Sequence, residues 1–442
     1  MVRWSVVGVI AAAAFGCSAP ADEAGSELPA HPVDSGVSVE TSNAEDSPIE
    51  PDAAGDDAGG EEVRADAGAD GVSDAASPKT FVHPGILVQQ GQLDLVRAKI
   101  KAGAAPWAAA FNAAKASRFA SASYVPHPRA IVECGSYSTP DNGCSEEKDD
   151  STAAYTQALL FTFSGDEKYA AKAVEIMNAW SAVLTDHTNS NAPLQSAWVG
   201  SVFPRAGELI RAGYSKWAAT DAARFSKMLK TVYLPEVIKG SGANGNWELS
   251  MAEATIAIGV YLDDRPTFDT GVTMWRKRVP AYLYLASDGP LPVSPPGSTK
   301  TGSALTTYWY NPGKFVDGLC QETCRDFGHV QLGLSAMINA AETARIQGVD
   351  LYAEQADRIA KGLEWNAQWL DGVAPPSWLC GGTLTDAKPT HMWEIALNEY
   401  ANRLGRSMPR TASLVTKVRP TGTNHQMIFE TLTHASVGDA GL

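Results

Sequence analysis

The 442-residue chain has only six cysteines, no block of basic residues and no long apolar run after its N-terminus. A helix that crosses a bilayer needs about 18 or more mostly apolar residues, so no membrane span is expected in the body of the chain. The missing basic block argues against nucleic acid as a partner. No segment alternates apolar and polar residues over a sustained stretch, so β-strands are expected to be minor.

The first residues have the pattern of an export signal. A short basic start is followed by an apolar stretch at 6–15, which is too short for a stable membrane span. Because a glycine and Cys17 follow, residues 1–16 resemble a bacterial lipoprotein signal with Cys17 as the acylated residue. Ordinary cleavage near Ala19 or Ala21 is the alternative. We therefore expect an exported protein, either an outer-membrane or cell-surface lipoprotein or a periplasmic or secreted one.

Residues 17–80 differ in composition from the rest of the chain. They are mostly Ala, Gly, Asp, Glu, Ser and Pro, and sixteen acids face only Arg64 and Lys79, a net charge of −14. Such a segment cannot bury enough apolar surface to fold, so we interpret it as a disordered tether. Subtracting it and the single charge of Arg3 from the total of −15 leaves −2 for 81–442. The acidic balance therefore says nothing about the ligand of the folded domain.

Five cysteines remain after Cys17, so at least one thiol is unpaired if the others form disulfides. Cys134 and Cys144 flank the turn-rich loop GSYSTPDNG and are expected to pair in an oxidising compartment. Cys320 could pair with Cys324 or with Cys380, and the sequence leaves that choice open.

Helical periodicity dominates from residue 81 onward. Segments with apolar spacing near 3.6, ending near Gly, Asp or Pro, lie at 93–103, 152–166, 167–184, 203–213, 221–238, 247–264, 268–286, 330–348, 351–370 and 391–405. Many helices joined by short loops predict an all-α domain of paired antiparallel helices. A toroid of helical hairpins is one such arrangement, and periodicity alone does not separate it from an irregular bundle or a solenoid.

Several blocks resemble a known superfamily. They are HPGILVQQGQLDLVRAKIKAG and its continuation at 83–117, DDSTAAYTQALL at 149–160, NGNWELSMAEATIAIGVYLDD at 244–264, DGLCQETCRDFGHVQLGLSAM and its continuation at 317–353, WEIALNEYANRLG, and RPTGTNHQMIFETLTHA. Together they are similar to the alginate-lyase-like polysaccharide lyases. The resemblance covers essentially everything after the tether. It implies an (α/α) toroid over 81–442 and β-elimination on a uronate-containing polysaccharide such as alginate or glucuronan.

That reaction dictates which side chains are needed. The proton at C5 of a uronate is weakly acidic, so the adjacent carboxylate must be neutralised while a base removes the proton and an acid protonates the departing O4. In the superfamily, Asn, Arg and sometimes Glu handle the carboxylate, and His and Tyr serve as base and acid. The resemblance implies no metal and no other cofactor.

The stretch CQETCRDFGHVQLGLSAM supplies the first candidates. If it is helical from Glu322, then Glu322, Arg325, Asp326 and His329 share one face. By the resemblance, His329 is base or acid, Arg325 binds the carboxylate, and Glu322 orients Arg325 or contacts sugar hydroxyls. Asp326 orients His329 or is structural. A solvated salt-bridge face is the alternative, and a zinc site of Cys320, Cys324 and His329 lacks the ligand spacing of zinc modules.

Further candidates lie elsewhere in the chain. Asn246 precedes the run WELSMAEA, where it is expected as a helix N-cap with a substrate role, and Asn244 is a looser substrate candidate. Trp247 is either a core residue or a sugar platform. No tyrosine follows Arg325 where superfamily members with a Tyr acid/base carry it, so Tyr308 and Tyr310 of TTYWYNPG are the candidates, with a buried aromatic pair as the alternative.

Arg205, with Glu208 on the same helix, is expected to contact substrate, because that helix is similar to one lining the family's groove. The expected partner is an anionic polysaccharide; the membrane is contacted only through the lipid anchor, and the oligomeric state is left open. Two other functions compete with a lyase. A glycoside hydrolase would need two carboxylates across the cleft, for example Glu322 with Asp149 or Glu248. A non-catalytic surface glycan-binding lipoprotein would retain binding without turnover.

Overall fold

The computed structural model describes residues 80–438. The expected signal sequence at 1–16, the acylated Cys17 and all but the last residue of the expected tether lie outside the described residues. Within the described part, no helix is both long enough and apolar enough to cross a bilayer.

Helices dominate the described residues, as the periodicity predicted. The sixteen α-helices are α1 (Gln90–Lys101), α2 (Trp107–Ala116), α3 (Cys144–Ser164), α4 (Glu167–Val183), α5 (Ala192–Gly213), α6 (Ala219–Met228), α7 (Leu234–Val237), α8 (Gly245–Tyr261), α9 (Arg265–Arg278), α10 (Gly302–Tyr308), α11 (Phe327–Ile346), α12 (Leu351–Glu354), α13 (Ala356–Leu370), α14 (Trp393–Leu397), α15 (Pro409–Val418) and α16 (Glu430–His434). The expected all-α class is confirmed.

Two small sheets accompany the helices. In the first, β1 (Ile131–Cys134) pairs antiparallel with β2 (Asp141–Asn142) and parallel with β3 (Asp186–Thr188). In the second, β4 (Thr423–Asn424) and β5 (Met427–Ile428) form a two-residue hairpin. Both sheets carry side chains to the cleft described below, which is their contribution to function.

Short connections force successive helices to run antiparallel. Only Gly165 and Asp166 separate α3 from α4. Gly165 has a φ of +72°, which glycine adopts without strain, and Asp166 caps α4 by accepting a hydrogen bond from Lys168 N at 3.2 Å. Asp264 caps α9 in the same way, accepting from Thr267 N at 3.1 Å.

Helix α8 lies at the centre of the domain, packed against α5, α9 and α11. Every residue of α8 is buried except Trp247, which is half-buried at its first turn. A helix buried all round belongs to the interior of a large domain. Its close approach to α9 requires Gly259, since a Cβ there would lie 2.6 Å from Phe268 N. The N-terminus of α8 opens toward the cleft.

Two expected helices end earlier than their periodicity indicated. The segment 268–286 leaves the α-helix after Arg278, where Val279–Ala281 forms one 3₁₀ turn. Pro280 explains this, because proline lacks the N–H that continues an α-helix. The segment 391–405 is α-helical only in α14 and continues as a wider π-helical turn at Asn398–Arg403.

The expectation of a helix from Glu322 is wrong, because α11 begins at Phe327. Asp326 is its N-cap, extended at φ −170°, and accepts a hydrogen bond from His329 N at 2.8 Å. Upstream, the chain is held by tertiary pairing instead, since Gln321 N donates to Tyr282 O at 2.9 Å. Glu322 and Arg325 therefore lie in a turn before the helix, which we call the arginine turn (residues 322–326).

Residues 80–438 contain two disulfides. Cys134 pairs with Cys144, as the loop between them predicted, and joins β1 to the start of α3. Cys324 pairs with Cys380, which ties the arginine turn to the loop before α14. Neither of the two pairings left open for Cys320 forms. Its thiol is free and buried, and the residue is held beside Leu283 in an antiparallel bridge.

Candidate active site

A cleft of about 430 Å³ lies where the N-termini of α3, α5, α8 and α11 approach one another. That volume is typical of ligand sites. The residues that line it are Ser136, Tyr137, Ser138, Lys148, Ser190, Asn191, Leu194, Trp198, Ala243, Asn244, Trp247, Arg325, His329 and His425. Four of these side chains are basic and none is acidic, so the cleft suits an anionic ligand.

Arg325 enters the cleft from the arginine turn, with its side chain 18% exposed. Its Nη1 donates to Glu322 Oε1 at 2.8 Å. The Glu322 carboxylate is itself buried at the N-terminus of α8, where it accepts from Asn246 N at 3.2 Å and from Asn246 Nδ2 at 2.6 Å. Burial opposes the charge on Arg325, but the neighbouring Glu322 and Tyr310 outweigh it and raise the pKa of the guanidinium. Arg325 is thus a fixed cation.

The structure corrects the expectations for Asn246 and Glu322. Asn246 lies inside the first turn of α8, and the N-cap is Asn244. Both Asn246 and Glu322 are fully buried and do not line the cleft. Of the two roles expected for Glu322, the geometry fits the orientation of Arg325 and not contact with sugar hydroxyls. Asn246 acts one step further back, by holding Glu322.

His329 lies in the first turn of α11, four residues after Arg325, with its side chain 26% exposed in the cleft. Its Nδ1 is 2.6 and 2.7 Å from the two carboxylate oxygens of Asp326. Burial opposes ionisation of Asp326, but hydrogen bonds from the His329 ring and amide lower the pKa of its carboxyl group. An ionised carboxylate can only accept, so His329 donates Nδ1–H to Asp326, and Nε2 is the ring nitrogen left for a ligand.

Tyr310 is not among the residues that line the cleft, and Asn244, which does line it, connects the two. Asn244 Nδ2 donates to the Tyr310 hydroxyl at 2.8 Å, and its Oδ1 accepts from Gln321 Nε2 at 3.0 Å. Burial raises the pKa of Tyr310, although the charge of Arg325 partly opposes this, so the phenol stays protonated. Because the hydroxyl oxygen accepts from Asn244, its own proton remains available to a ligand. The backbone of Tyr310 has a φ of +58°, which is uncommon for a non-glycine residue.

Tyr308 does not share that position. Its hydroxyl donates to Ala243 O at 2.7 Å and accepts from Arg278 Nη1 at 3.0 Å. Arg278 is in turn paired with the buried Glu248. The hydroxyl of Tyr308 is therefore occupied by contacts within the protein, although Ala243 itself lines the cleft. The alternative of a buried aromatic pair does not fit, because both tyrosines are half-buried and their hydroxyls belong to different hydrogen-bond networks.

Arg205 is also placed differently from expectation. It is 2% exposed, paired with the buried Glu253, and donates to Gln426 O at 2.8 Å. Glu208, three residues on, accepts hydrogen bonds from the His83 ring and from the Gly85 amide instead of facing the cleft. The side chains of this part of α5 point into the interior. Trp247, by contrast, lines the cleft and is free to form a sugar platform.

Sequence reasoning missed Lys148, Trp198 and His425, which also line the cleft. The rings of Trp198 and His425 are 4.4 Å apart, and His425 Nδ1 lies 2.5 Å from Asn424 Oδ1. Burial, followed by the charges of Lys148 and His329, lowers the pKa of His425 to about 3, so its imidazole is neutral. The only sequence signals were a lone lysine among acids in EEKDD and a histidine in the turn-rich block TGTNHQM.

The carboxylate pairs of the hydrolase alternative are not assembled. Asp149 pairs with Arg118 at 2.6 Å, Glu248 pairs with Arg278, and neither lines the cleft. The third carboxylate, that of Glu322, is paired with Arg325. Across residues 80–438, no group of three or more His, Cys, Asp or Glu side chains could hold a metal ion.

Comparisons with known proteins bear on the fold and on the family. The Alginate lyase family model matches residues 115–293. A variant of alginate lyase A1-III in complex with a tetrasaccharide has a TM-score of 0.59 and 16% identity, over 82% of this chain and 98% of that one. Alginate lyase A1-III from Sphingomonas species A1 gives 0.56 and 15%, over 83% and 99%.

An alginate lyase from Bacteroides ovatus gives a TM-score of 0.52 and 15% identity, over 80% of this chain and all of that one. No curated protein matches the chain significantly. The structural matches establish the (α/α) toroid fold, and the family match adds support for polysaccharide lyase activity. The resemblance of this chain to the alginate-lyase-like polysaccharide lyases is therefore confirmed.

Proposed function

We propose that the protein is a polysaccharide lyase that cleaves a uronate-containing polysaccharide, such as alginate or glucuronan, by β-elimination. One observation carries the proposal. Arg325 and His329 enter the same cleft, and each is held by its own carboxylate partner, Glu322 or Asp326. A fixed cation beside an oriented imidazole is what proton abstraction next to a carboxylate requires.

In this mechanism Arg325 binds the uronate carboxylate. Its guanidinium is an always-charged donor that can engage both carboxylate oxygens. Negative charge moves onto those oxygens as the C5 proton leaves, so the interaction strengthens in the transition state. The hydrogen bonds from Asn246 to Glu322 keep the supporting carboxylate in place and reduce reorganisation of Arg325.

His329 is the base in this scheme, and Tyr310 is the acid. The C5 proton passes to His329 Nε2, the C5–H electrons form the C4–C5 double bond, and the C4–O4 bond breaks. Asp326 stabilises the imidazolium that forms, through the contacts of 2.6 and 2.7 Å to Nδ1. The protonated phenol of Tyr310, which accepts from Asn244, donates its proton to O4. Trp247 supports a sugar ring.

The test is turnover on a panel of uronate polymers, followed by rising absorbance in the near ultraviolet. The elimination product is unsaturated and absorbs, whereas a hydrolysis product does not. We expect His329→Ala to lower turnover by about a hundredfold or more, the scale of lost acid–base catalysis, with little change in melting temperature. A matched control is His127→Ala, because His127 does not line the cleft.

Three other results would contradict this proposal or the role of His329. New reducing ends without ultraviolet absorbance would support a hydrolase and refute the lyase. Binding without turnover on every polymer would support the glycan-binding alternative. If His329→Ala melts far below the wild type but each folded molecule keeps full activity, then His329 is structural, and the base must be sought at His425.

We also propose that the lyase domain is exported and held by a lipid on Cys17, with 17–80 as its tether. The support is sequence alone: the signal pattern and the acidic composition of 17–80. Mass spectrometry of the mature N-terminus should detect an acylated Cys17. An unmodified chain that starts near Ala21 would refute the anchor and leave export intact.

A further inference from the structure

Lys148 is a cation on the cleft wall that has no anionic partner among residues 80–438. It lies just after the first turn of α3 and lines the same cleft as Arg325 and His329. Its ammonium forms neither an ion pair nor a hydrogen bond with any residue in the range 80–438. The side chain is half-buried, and burial lowers the pKa of Lys148 although nearby acids partly oppose this. The fold therefore tolerates a costly charge here.

The three nearest carboxylates are all committed elsewhere. Asp141 caps α3, accepting from the Cys144 and Ser145 amides at 2.9 and 3.1 Å. Glu147 is buried and accepts from a histidine ring at 2.8 Å and a tyrosine hydroxyl at 2.6 Å. Asp149 pairs with an arginine at 2.6 Å. None of them can turn to Lys148 without breaking these contacts.

Two uncharged aromatic side chains, Trp198 and His425, line the cleft together with Lys148. Its Nζ lies 5.4 Å from the centre of the Trp198 ring, and Trp198 packs on the neutral ring of His425. The Cys134–Cys144 disulfide anchors the first turn of α3, so the ammonium is held at a defined place. An anion that reaches Lys148 must therefore come from the ligand.

We propose that Lys148 is a specificity-determining residue that binds a second carboxylate of the substrate, on a sugar next to the one whose carboxylate contacts Arg325. The inference rests on the proposed function. Two separate cationic positions in one cleft select polymers that carry carboxylates on neighbouring sugars. A polymer in which uronates alternate with uncharged sugars engages only one of them.

The first experiment measures binding without turnover. In a His329→Ala background, calorimetry with a saturated tetrauronate compares Lys148→Met, Lys148→Arg and the control Lys101→Met. Lys101 is exposed on α1, so the control removes the same net charge away from the cleft. We expect Lys148→Met to raise Kd about tenfold or more, the scale of a hydrogen bond to a charged group. Lys148→Arg should retain most of the affinity, and Lys101→Met should bind as the parent does.

The second experiment measures selectivity in the active enzyme. Partial reduction of the polymer's carboxyl groups to alcohols leaves many uronates with uncharged neighbours. The wild type should lose kcat/KM on the reduced polymer, whereas Lys148→Met should discriminate little between the two polymers. The Lys148→Met substitution should mainly raise KM and leave kcat nearly unchanged. A loss confined to kcat would overturn the proposal, since it would make Lys148 an acid–base group.

The two proposals fail in different ways. Absence of turnover by the wild type on every polymer refutes the lyase, while weaker tetrauronate binding by Lys148→Met still supports the second carboxylate site. If the wild type turns over a polymer but Lys148→Met binds the tetrauronate as tightly as its parent, the second carboxylate site is refuted and the lyase proposal stands. Lys148→Met should melt no lower than the wild type, because it removes a poorly solvated charge. If it melts much lower and Lys148→Arg also loses affinity, the residue is structural and the proposal is wrong.

Discussion

Asp326 performs two functions that substitution can separate. Its Oδ1 accepts from His329 N at 2.8 Å, which caps α11, and its carboxylate lies 2.6–2.7 Å from His329 Nδ1. Asparagine is as good an N-cap as aspartate, whereas alanine is a poor one. Asp326→Asn therefore keeps the cap and removes the negative charge beside the imidazole, and Asp326→Ala removes both.

The expected magnitudes follow from these contacts. A hydrogen bond to a charged group contributes about 1.5–3 kcal/mol, and this is the stabilisation of the imidazolium that Asp326→Asn removes. Since about 1.4 kcal/mol is a factor of ten in rate, kcat should fall about 10- to 150-fold. The melting temperature should change little. Asp326→Ala should lose at least as much activity and about 1 kcal/mol of stability with the cap.

The assay pairs initial rates of ultraviolet absorbance with thermal melts. Asp264 provides the matched control, because it caps α9 through the Thr267 amide at 3.1 Å and does not line the cleft. Asp264→Ala should lose similar stability and keep full turnover. If Asp326→Asn turns over at the wild-type rate, Asp326 is only a helix cap and the imidazolium argument is refuted.

Three further predictions concern the supports of the site. Burial and the charge of Glu394 raise the pKa of Glu430 to about 8. The folded state therefore holds a proton that the unfolded chain releases above about pH 4.3. The free energy of unfolding falls as the pH rises between these two values. The melting temperature of Glu430→Gln should therefore rise relative to that of the wild type between pH 5 and pH 8. An equal difference in melting temperature at both pH values would contradict the raised pKa of Glu430. Gly245→Ala should lower both turnover and stability, since its Cβ would lie 2.1 Å from the Tyr282 ring at the start of α8; circular dichroism melts and rates test this. Cys380→Ser removes the disulfide of the arginine turn and should raise KM at 25 °C; an unchanged KM would show that the turn is held without it.

Local spacing explains which features could be read from the sequence. Apolar residues at 3.6-residue intervals predicted most of the helices, because that period reflects one buried face. A turn-rich loop of nine residues brought Cys134 and Cys144 together without help from the rest of the fold. The i, i+3 relation of Asp326 and His329 likewise follows from one helical turn, although the helix begins at Phe327 and not at Glu322.

The chain order of the other partners gave no such signal. Asn246 and Glu322 are 76 residues apart and meet only because tertiary packing brings the start of α8 to the arginine turn. Whether a polar residue faces the cleft or the core is decided by such packing. Asn246, Tyr308 and Arg205 have suitable chemistry for substrate, but tertiary contacts satisfy their polar groups elsewhere.

The sequence by itself determined the helical class, the superfamily resemblance and two side chains of the cleft, Arg325 and His329. These depend on residue types and on separations of a few positions. Only the tertiary structure decided that Lys148 and His425, which lie far apart in the sequence, line the same cleft. The physical reason is that burial and long-range pairing arise from how helices close around one another, and the linear pattern of the chain does not specify that closure.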